Sequence, residues 1–225
     1  MIRQVIWTST IDWPGELSTV IFFDQCNFRC SYCHNMDLNK QPEISFESVL
    51  EKLIERKPIL DHVILSGGEP TLSDNYYTVI KKLRDNGFKV GIHTNGSKHF
   101  KITEAILQYG VSFIGVDIKT YSNRKYLDDF VKDGDETFMY SNVLNLITIL
   151  KTYYPEVKTD IRTTLNKDIT IDDLISIAED LHKIGIEKYY LQYEVKDGKQ
   201  IKYFTKEQYD DVKIIMDEYV KVEFR

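Results

Sequence analysis

The 225-residue chain contains three cysteines, and all three lie within eight consecutive residues. Cys26, Cys30 and Cys33 have the spacing C-x3-C-x2-C, and the aromatic residue Tyr32 directly precedes the last cysteine. Three thiolates on one short loop can bind three irons of a 4Fe–4S cluster. Since the chain has no fourth cysteine, the remaining iron has to take its last ligand from elsewhere and can bind a small molecule. The pattern therefore favours a catalytic cluster over one that only stores or relays electrons.

Two other uses of these cysteines are a structural zinc site and a disulfide. Zinc would need Cys26, Cys30, Cys33 and His34 as a tetrahedral set, but the last two are adjacent, which is unfavourable for two ligands of one ion. A chain of this length can also bury a core without a metal. A disulfide would leave one cysteine over. A non-catalytic iron–sulfur or zinc module is therefore the alternative from a different functional class.

The composition limits the partners and the compartment. The formal net charge is −6, with acidic and basic residues interspersed, which argues against binding of nucleic acid through a basic face. The segment Met1–Trp7 is too short and too polar for a signal peptide, and no apolar run approaches transmembrane length. Clustered thiols fit a reducing compartment. We expect a cytoplasmic protein of one domain, residues 1–225, with neither a membrane nor a nucleic acid as partner.

Six short apolar runs alternate with helical patterns, and this alternation predicts right-handed βαβ units around a parallel sheet. Six units are too few for a closed eight-stranded barrel, so a doubly wound open sheet and a curved partial barrel both fit the pattern. The predicted strands are 17–23, 62–66, 89–93, 113–117, 158–165 and 188–193. The predicted helices are 45–54, 75–83, 103–109, 137–150, 171–184 and a C-terminal helix that starts with a capping box at 205–208.

Polar residues follow the second and third predicted strands, at the edge of a parallel sheet where active sites lie. The second strand is followed by SGGEP, in which Gly67 and Gly68 allow a close approach of the backbone to a ligand. Glu69 offers a carboxylate to an ammonium group. By itself this segment is also an ordinary strand–helix turn. The third strand is followed by Asn95 and a glycine, which is a common turn signal as well as a candidate ligand contact.

Charged residues mark the fourth and fifth predicted strands. Asp117 and Lys119 are two residues apart and therefore face the same side, where they could also form a plain ion pair. Arg162 lies inside an apolar strand, where a charge is costly unless it is paired. It is expected to bind a ligand carboxylate or to form a salt bridge with Asp117. The sixth strand ends in Gln192–Tyr193, whose role the sequence leaves open.

The cysteine loop and these strand ends resemble the radical S-adenosylmethionine (SAM) enzymes. The resemblance implies an α/β fold, namely a partial (βα)6 barrel of the radical SAM type with a C-terminal helix. It implies a 4Fe–4S cluster on the three cysteines, with SAM chelated to the open iron through its amino and carboxylate groups. It also implies that Asp117 and Lys119 are catalytic residues at the SAM carboxylate and the substrate entrance. The implied SAM-binding residues are Tyr32 (against the adenine), His34, Gly67, Gly68, Glu69 (at the amino group), Asn95, Asp117 and Arg162.

Within this family the chain resembles the glycyl-radical-enzyme activating proteins in length and motif order. The segments IDWPG, CHN, DIK and LQY are most similar to the activating protein of anaerobic ribonucleoside-triphosphate reductase, in its longer form. The implied activity is reductive cleavage of SAM and abstraction of hydrogen from a glycine of that reductase, with an external electron donor such as flavodoxin or ferredoxin. A pyruvate formate-lyase activating enzyme and a small-molecule radical SAM enzyme are the alternatives. The segments expected to face the partner are 121–137 and the last helix.

Overall fold

The fold is built on one mixed sheet with a parallel centre. A computed structural model describes residues 1–121, 140–196 and 198–225. In these residues nine strands join into one sheet, and the central six strands are parallel neighbours in chain order. The predicted α/β fold with a parallel sheet is thus confirmed. The strands are β1 (Ile2–Ser9), β2 (Ser18–Phe23), β3 (His62–Gly67), β4 (Lys89–Thr94), β5 (Phe113–Asp117), β6 (Lys158–Leu165), β7 (Lys188–Lys196), β8 (Lys199–Ile201) and β9 (Lys221–Phe224).

Helices connect the parallel strands, as expected for βαβ units. The described helices alternate with the strands from β2 onward, and the amphipathic faces of these helices cover the outer side of the sheet. No helix in the described part of the chain is long and apolar enough to span a lipid bilayer. The helices are α1 (Phe46–Arg56), α2 (Tyr76–Asp85), α3 (His99–Tyr109), α4 (Tyr140–Tyr153), α5 (Ile171–Ile184) and α6 (Lys206–Asp217).

A small apolar cluster fills the inner side of the sheet beneath the strand ends. It consists of Trp13, Val20, Ile64 and Phe113, and the rings of Trp13 and Phe113 stack with centroids 5.0 Å apart. A side chain at Gly91 would come within 2.6 Å of Ile64 Cδ1, so the neighbouring strand has to carry glycine here. This packing closes one end of the sheet interior, and polar side chains line the other end.

The sheet is wider than the sequence pattern predicts. β1 pairs antiparallel with β2 at one edge, while β9 pairs parallel with β7 at the other and β8 forms a hairpin with β7. The predicted C-terminal helix forms as α6, the last helix of the described residues, and the short strand β9 follows it. β8 and β9 have only three and four residues, too few to show a clear periodicity in the sequence. β9 also pairs with β7 across the intervening helix α6, which a local pattern does not report.

Helix boundaries follow the predictions with small shifts. The capping box at 205–208 is confirmed, because Thr205 Oγ1 accepts a hydrogen bond from the Gln208 amide and Gln208 Oε1 accepts one from the Thr205 amide. α3 begins at His99 rather than at residue 103. Residues 137–139 of the fourth predicted helix, and residues 122–137 of the expected partner-facing loop, lie outside the described residues.

Candidate active site

A cavity of about 330 Å³ lies where the parallel strands β2 to β7 end. Its position agrees with the rule that ligands bind at the carboxyl ends of parallel strands. The cavity brings together all but one of the twelve residues predicted to bind the cluster or SAM or to act in catalysis. Those that line it are Cys26, Cys30, Tyr32, Cys33, His34, Gly67, Gly68, Asn95, Asp117, Lys119 and Arg162.

The three cysteines lie on the cavity wall as thiols rather than in disulfides. The Phe28 amide donates a hydrogen bond to Cys26 Sγ at 3.3 Å, and the Asn35 amide donates one to Cys33 Sγ at 3.4 Å. Such donors favour the thiolate that a metal needs. Burial raises the pKa of Cys26 to about 12 and also raises that of Cys30. Binding of iron therefore has to displace protons from buried thiols.

The donor set fits an iron–sulfur cluster. Among residues 1–121, 140–196 and 198–225, no three His, Cys, Asp or Glu side chains converge closely enough to hold a single metal ion. A 4Fe–4S cluster does not need the three cysteines to converge on one ion, because each cysteine binds a different iron. Three soft sulfur donors on one cavity wall, with amide hydrogens directed at two of them, suit such a cluster.

The backbone of the glycine turn after β3 is in direct contact with the backbone of the cysteine loop. The Gly68 amide donates to the Phe23 carbonyl at 2.7 Å, and the Glu69 amide donates to the Gln25 carbonyl at 2.6 Å. A Cβ atom on Gly68 would stand 2.1 Å from Gln25 O, so only glycine fits this position. On the far side of the loop, Asn35 Nδ2 donates to the Gly67 carbonyl at 2.9 Å.

Glu69 does not line the cavity. Its side chain is fully buried, and its carboxylate accepts hydrogen bonds from the Thr71 amide and hydroxyl, the Thr94 hydroxyl and the Asn95 amide. Burial raises its pKa, although these donors act in the opposite direction. The carboxylate therefore ties the turn after β3 to the turn after β4. Its predicted contact with the amino group of SAM stays a prediction.

Asp117 and Arg162 form a two-pronged ion pair on neighbouring strands. Arg162 Nε donates to Asp117 Oδ1 at 2.9 Å, and Nη2 donates to Oδ2 at 3.2 Å. Lys119 Nζ lies 3.8 Å from Asp117 Oδ2 and 5.8 Å from the centre of the Tyr32 ring. Burial by itself raises the pKa of Asp117, but the charges of Arg162 and Lys119 more than offset this and hold it well below its usual range. The site thus keeps an ionised carboxylate and two cations side by side.

Two residues that the sequence reasoning missed complete this network. Asp160 Oδ2 lies 3.5 Å from Arg162 Nη1 and 2.5 Å from Arg225 Nη2, and its side chain is buried. Asp160 and Arg162 are two positions apart and so share a face of β6. That spacing is a signal from which the pairing could have been found. Arg225 carries no such signal, because the pairing of β9 with β7 brings it there.

His93 is a neutral structural histidine at the base of the cavity. Its Nε2 lies 3.0 Å from the Asp12 carbonyl oxygen and 3.3 Å from Arg162 Nη1, and its Nδ1 lies 3.4 Å from the Ser66 hydroxyl oxygen. Burial and the positive charge of Arg162 lower the His93 pKa to about 3. The ring therefore fixes the segment around Asp12 against the end of β4 without adding a charge.

Comparisons with known proteins decide the family. Residues 20–195 match the radical SAM superfamily. The chain belongs to the radical SAM superfamily. It is 30% identical to a pyruvate formate-lyase-activating enzyme of Clostridium pasteurianum over 87% of this chain and 89% of that enzyme. It is 29% identical to a protein of Methanocaldococcus jannaschii named as a candidate glycyl-radical enzyme activating enzyme, over 88% of this chain and 82% of the relative. Its relatives are thus glycyl-radical enzyme activating enzymes by name.

Solved radical SAM structures share the fold. Streptococcus suis SuiB, solved with bound S-adenosylmethionine, superposes with a TM-score of 0.63 at 17% identity, covering 92% of this chain and 49% of SuiB. This chain thus spans about half the length of SuiB. A domain of a pyruvate-formate lyase-activating enzyme from Bacteroides vulgatus superposes with a TM-score of 0.54 at 16% identity, covering 72% of this chain and 98% of that domain. At these identities the likeness shows the fold alone. As a radical SAM enzyme, the protein has a 4Fe–4S cluster and SAM as its cofactors.

Proposed function

We propose that this radical SAM enzyme activates a glycyl-radical enzyme by removing a hydrogen atom from the Cα of one of its glycines. Cys26, Cys30 and Cys33 would hold the cluster, which in its reduced form would supply the one electron needed to cleave SAM at its sulfonium into methionine and a 5′-deoxyadenosyl radical. The hydrogen atom of the glycine then passes to that radical, giving 5′-deoxyadenosine and a glycyl radical on the partner. The observation that carries the proposal is the placement of the three cysteines and the Asp117–Arg162–Lys119 network on one cavity wall.

Different residues of the cavity bind the cluster and SAM. We assign Cys26, Cys30 and Cys33 to the cluster. Arg162 and Lys119 carry the positive charges that suit the carboxylate of SAM, and Asp117 holds both in place. The remaining predicted contacts surround them: the Gly67–Gly68 turn and Glu69 on the amino-group side, Tyr32 at the adenine, and His34 and Asn95 at the rim. Fixing the reacting groups in this way provides the orientation that the hydrogen transfer needs.

The sheet leaves a route for a protein substrate. β1 pairs only with β2 and β9 only with β7 among the described strands, so no ladder closes the barrel between them. A small-molecule enzyme would instead need a cavity that buries most of its ligand. The open side of the sheet thus supports a glycine on a loop of a large partner as the substrate. It favours a protein substrate over the small-molecule alternative.

We propose anaerobic ribonucleoside-triphosphate reductase as the partner. The proposal is supported by the motifs IDWPG, CHN, DIK and LQY, of which Asp12, His34 and Asp117 line the cavity. Pyruvate formate-lyase is the second candidate, because the Clostridium pasteurianum relative at 30% identity is named as its activating enzyme. All three cysteines of the chain are used by one cluster, so the electron has to come from an external donor such as flavodoxin or ferredoxin.

One experiment separates the two partners. The cluster-loaded protein is mixed under anaerobic conditions with SAM, a reductant and either reductase or lyase, and the glycyl radical is measured by electron paramagnetic resonance. We expect a doublet from the remaining α-hydrogen on the reductase and an equal yield of 5′-deoxyadenosine. A radical that forms on the lyase alone would show that pyruvate formate-lyase, and not the reductase, is the partner. The absence of a radical on both proteins would contradict the activating function.

A further inference from the structure

The side chain of Asn27 in the cysteine loop is hydrogen-bonded to the turn after β4. Asn27 directly follows the first cysteine, and its Oδ1 accepts a hydrogen bond from Asn95 Nδ2 at 3.1 Å and a second from Ser97 Oγ at 3.3 Å. An amide oxygen has two lone pairs, so these two donors use its accepting capacity in full. Nothing in the sequence pattern of the cysteines requires an asparagine at this position.

The turn that Asn27 contacts is itself held firmly. The Asn95 amide donates to Glu69 Oε2 at 2.8 Å, and the Ser97 amide donates to Asn95 Oδ1 at 2.9 Å. Glu69 is fully buried and Asn95 nearly so. A continuous chain of hydrogen bonds thus leads from the glycine turn after β3, through the turn after β4, to the start of the cysteine loop. Buried polar networks with satisfied members are rigid, and this one joins elements that are distant in sequence.

We propose that Asn27 is a positioning residue that fixes the cluster-binding loop relative to the strand ends that hold SAM. This inference rests on the proposed function. Cys26 precedes Asn27 directly, so the two accepted hydrogen bonds set where the first iron ligand stands relative to Asn95 on the cavity wall. Because electron transfer to SAM depends on the geometry of two separately bound groups, a loop that shifts by a fraction of an ångström lowers the yield of cleavage without loss of the cluster.

Asn27→Ala removes the acceptor, whereas Asn27→Asp keeps an oxygen that accepts from both donors. Ser31→Ala is the matched control, because Ser31 lies in the same loop with an exposed side chain. In the metal-free protein, we measure hydrogen exchange of the amides in 26–34 and 94–98. Loss of two neutral hydrogen bonds predicts roughly tenfold faster exchange in both segments for Asn27→Ala. Asn27→Asp and Ser31→Ala should exchange like the unchanged protein.

The cluster-loaded protein provides a second readout. We expect Asn27→Ala to retain four irons and to need roughly tenfold more SAM for the change that SAM causes in the electron paramagnetic resonance spectrum of the reduced cluster. If Asn27→Ala does not fold, Ser97→Ala removes one donor and should speed exchange in 26–34 about threefold. Unchanged exchange and an unchanged SAM response in these variants would overturn the inference. Both readouts are independent of the partner, so a failure to activate any glycyl-radical enzyme contradicts the proposed function and leaves this result in place.

Discussion

Removal of the Arg162 guanidinium is expected to destabilise the metal-free protein strongly. Only 10% of the Arg162 side chain and 19% of the Asp117 side chain are exposed, so Arg162→Gln leaves a largely buried carboxylate without its two-pronged partner. Breaking a buried pair in this way costs about 3–5 kcal/mol. Lys119 remains 3.8 Å from Asp117 and Asp160 keeps Arg225, which places the expected loss near the lower end, at about 3 kcal/mol.

The free energy of unfolding is measured by urea titration at pH 7 on the metal-free protein. Lys81→Gln is the control, because the Lys81–Asp85 pair is just as short but more than half exposed, and such pairs contribute about 0–1 kcal/mol. The double variant Arg162→Gln/Asp117→Asn should recover about 1–2 kcal/mol of the loss, since it removes the orphaned charge. A loss below 1 kcal/mol in Arg162→Gln, equal to that of the control, would refute the assignment of a buried ion pair.

The same pair predicts the sign of a pH effect. The pKa of Asp117 is lower in the folded protein than in the unfolded chain, so its contribution to stability is present above its ordinary pKa of 3.8. That contribution is lost as the pH falls below this value towards the folded pKa. We therefore expect the difference in unfolding free energy between the unchanged protein and Asp117→Asn to shrink in acid, and a difference that grows below pH 4 would contradict the pairing.

Three further predictions concern the cofactor site. Replacing any one of the three cysteines by Ala should abolish the roughly four irons and four sulfides of the anaerobically prepared protein, measured by iron and sulfide analysis; stoichiometric zinc in their place would contradict the cluster. Gly68→Ala should lower the free energy of unfolding by about 1–3 kcal/mol and reduce the iron content, because the added Cβ would clash with Gln25 O. Gly198→Ala is the control: its Cβ would meet no atom within 4 Å, and the iron content should stay unchanged. Glu69→Gln should lower the free energy of unfolding by about 1–3 kcal/mol and weaken SAM binding roughly ten- to a hundredfold in an equilibrium titration. An unchanged SAM affinity would contradict the assignment of Glu69 to the SAM site.

The sequence by itself determined the order of the six central strands with the helices between them, and it located the candidate site at the carboxyl ends of those strands. The six central strands agree with the predicted strands to within three residues at their ends. The signal is clearest in β2 and β3, which are buried on both faces and are therefore short apolar segments. The capping box at 205–208 and the spacing of the cysteines are likewise local signals. Since the carboxyl ends of parallel strands meet at one edge, the predicted residues were expected to share a cavity, and eleven of the twelve positions do.

Only the tertiary structure decided which side chains line the cavity and which connect the elements of its wall. Glu69 follows β3 in a position that suits a ligand contact, yet its carboxylate accepts hydrogen bonds from Thr94 at the end of β4 and from Asn95 in the turn after it. Asn27 and Arg225 give no local signal at all. Their roles depend on hydrogen bonds between segments 68 and 65 residues apart in the chain. Such contacts form only when the sheet brings distant residues together, whereas helix and strand periodicity records the environment of neighbours in the chain.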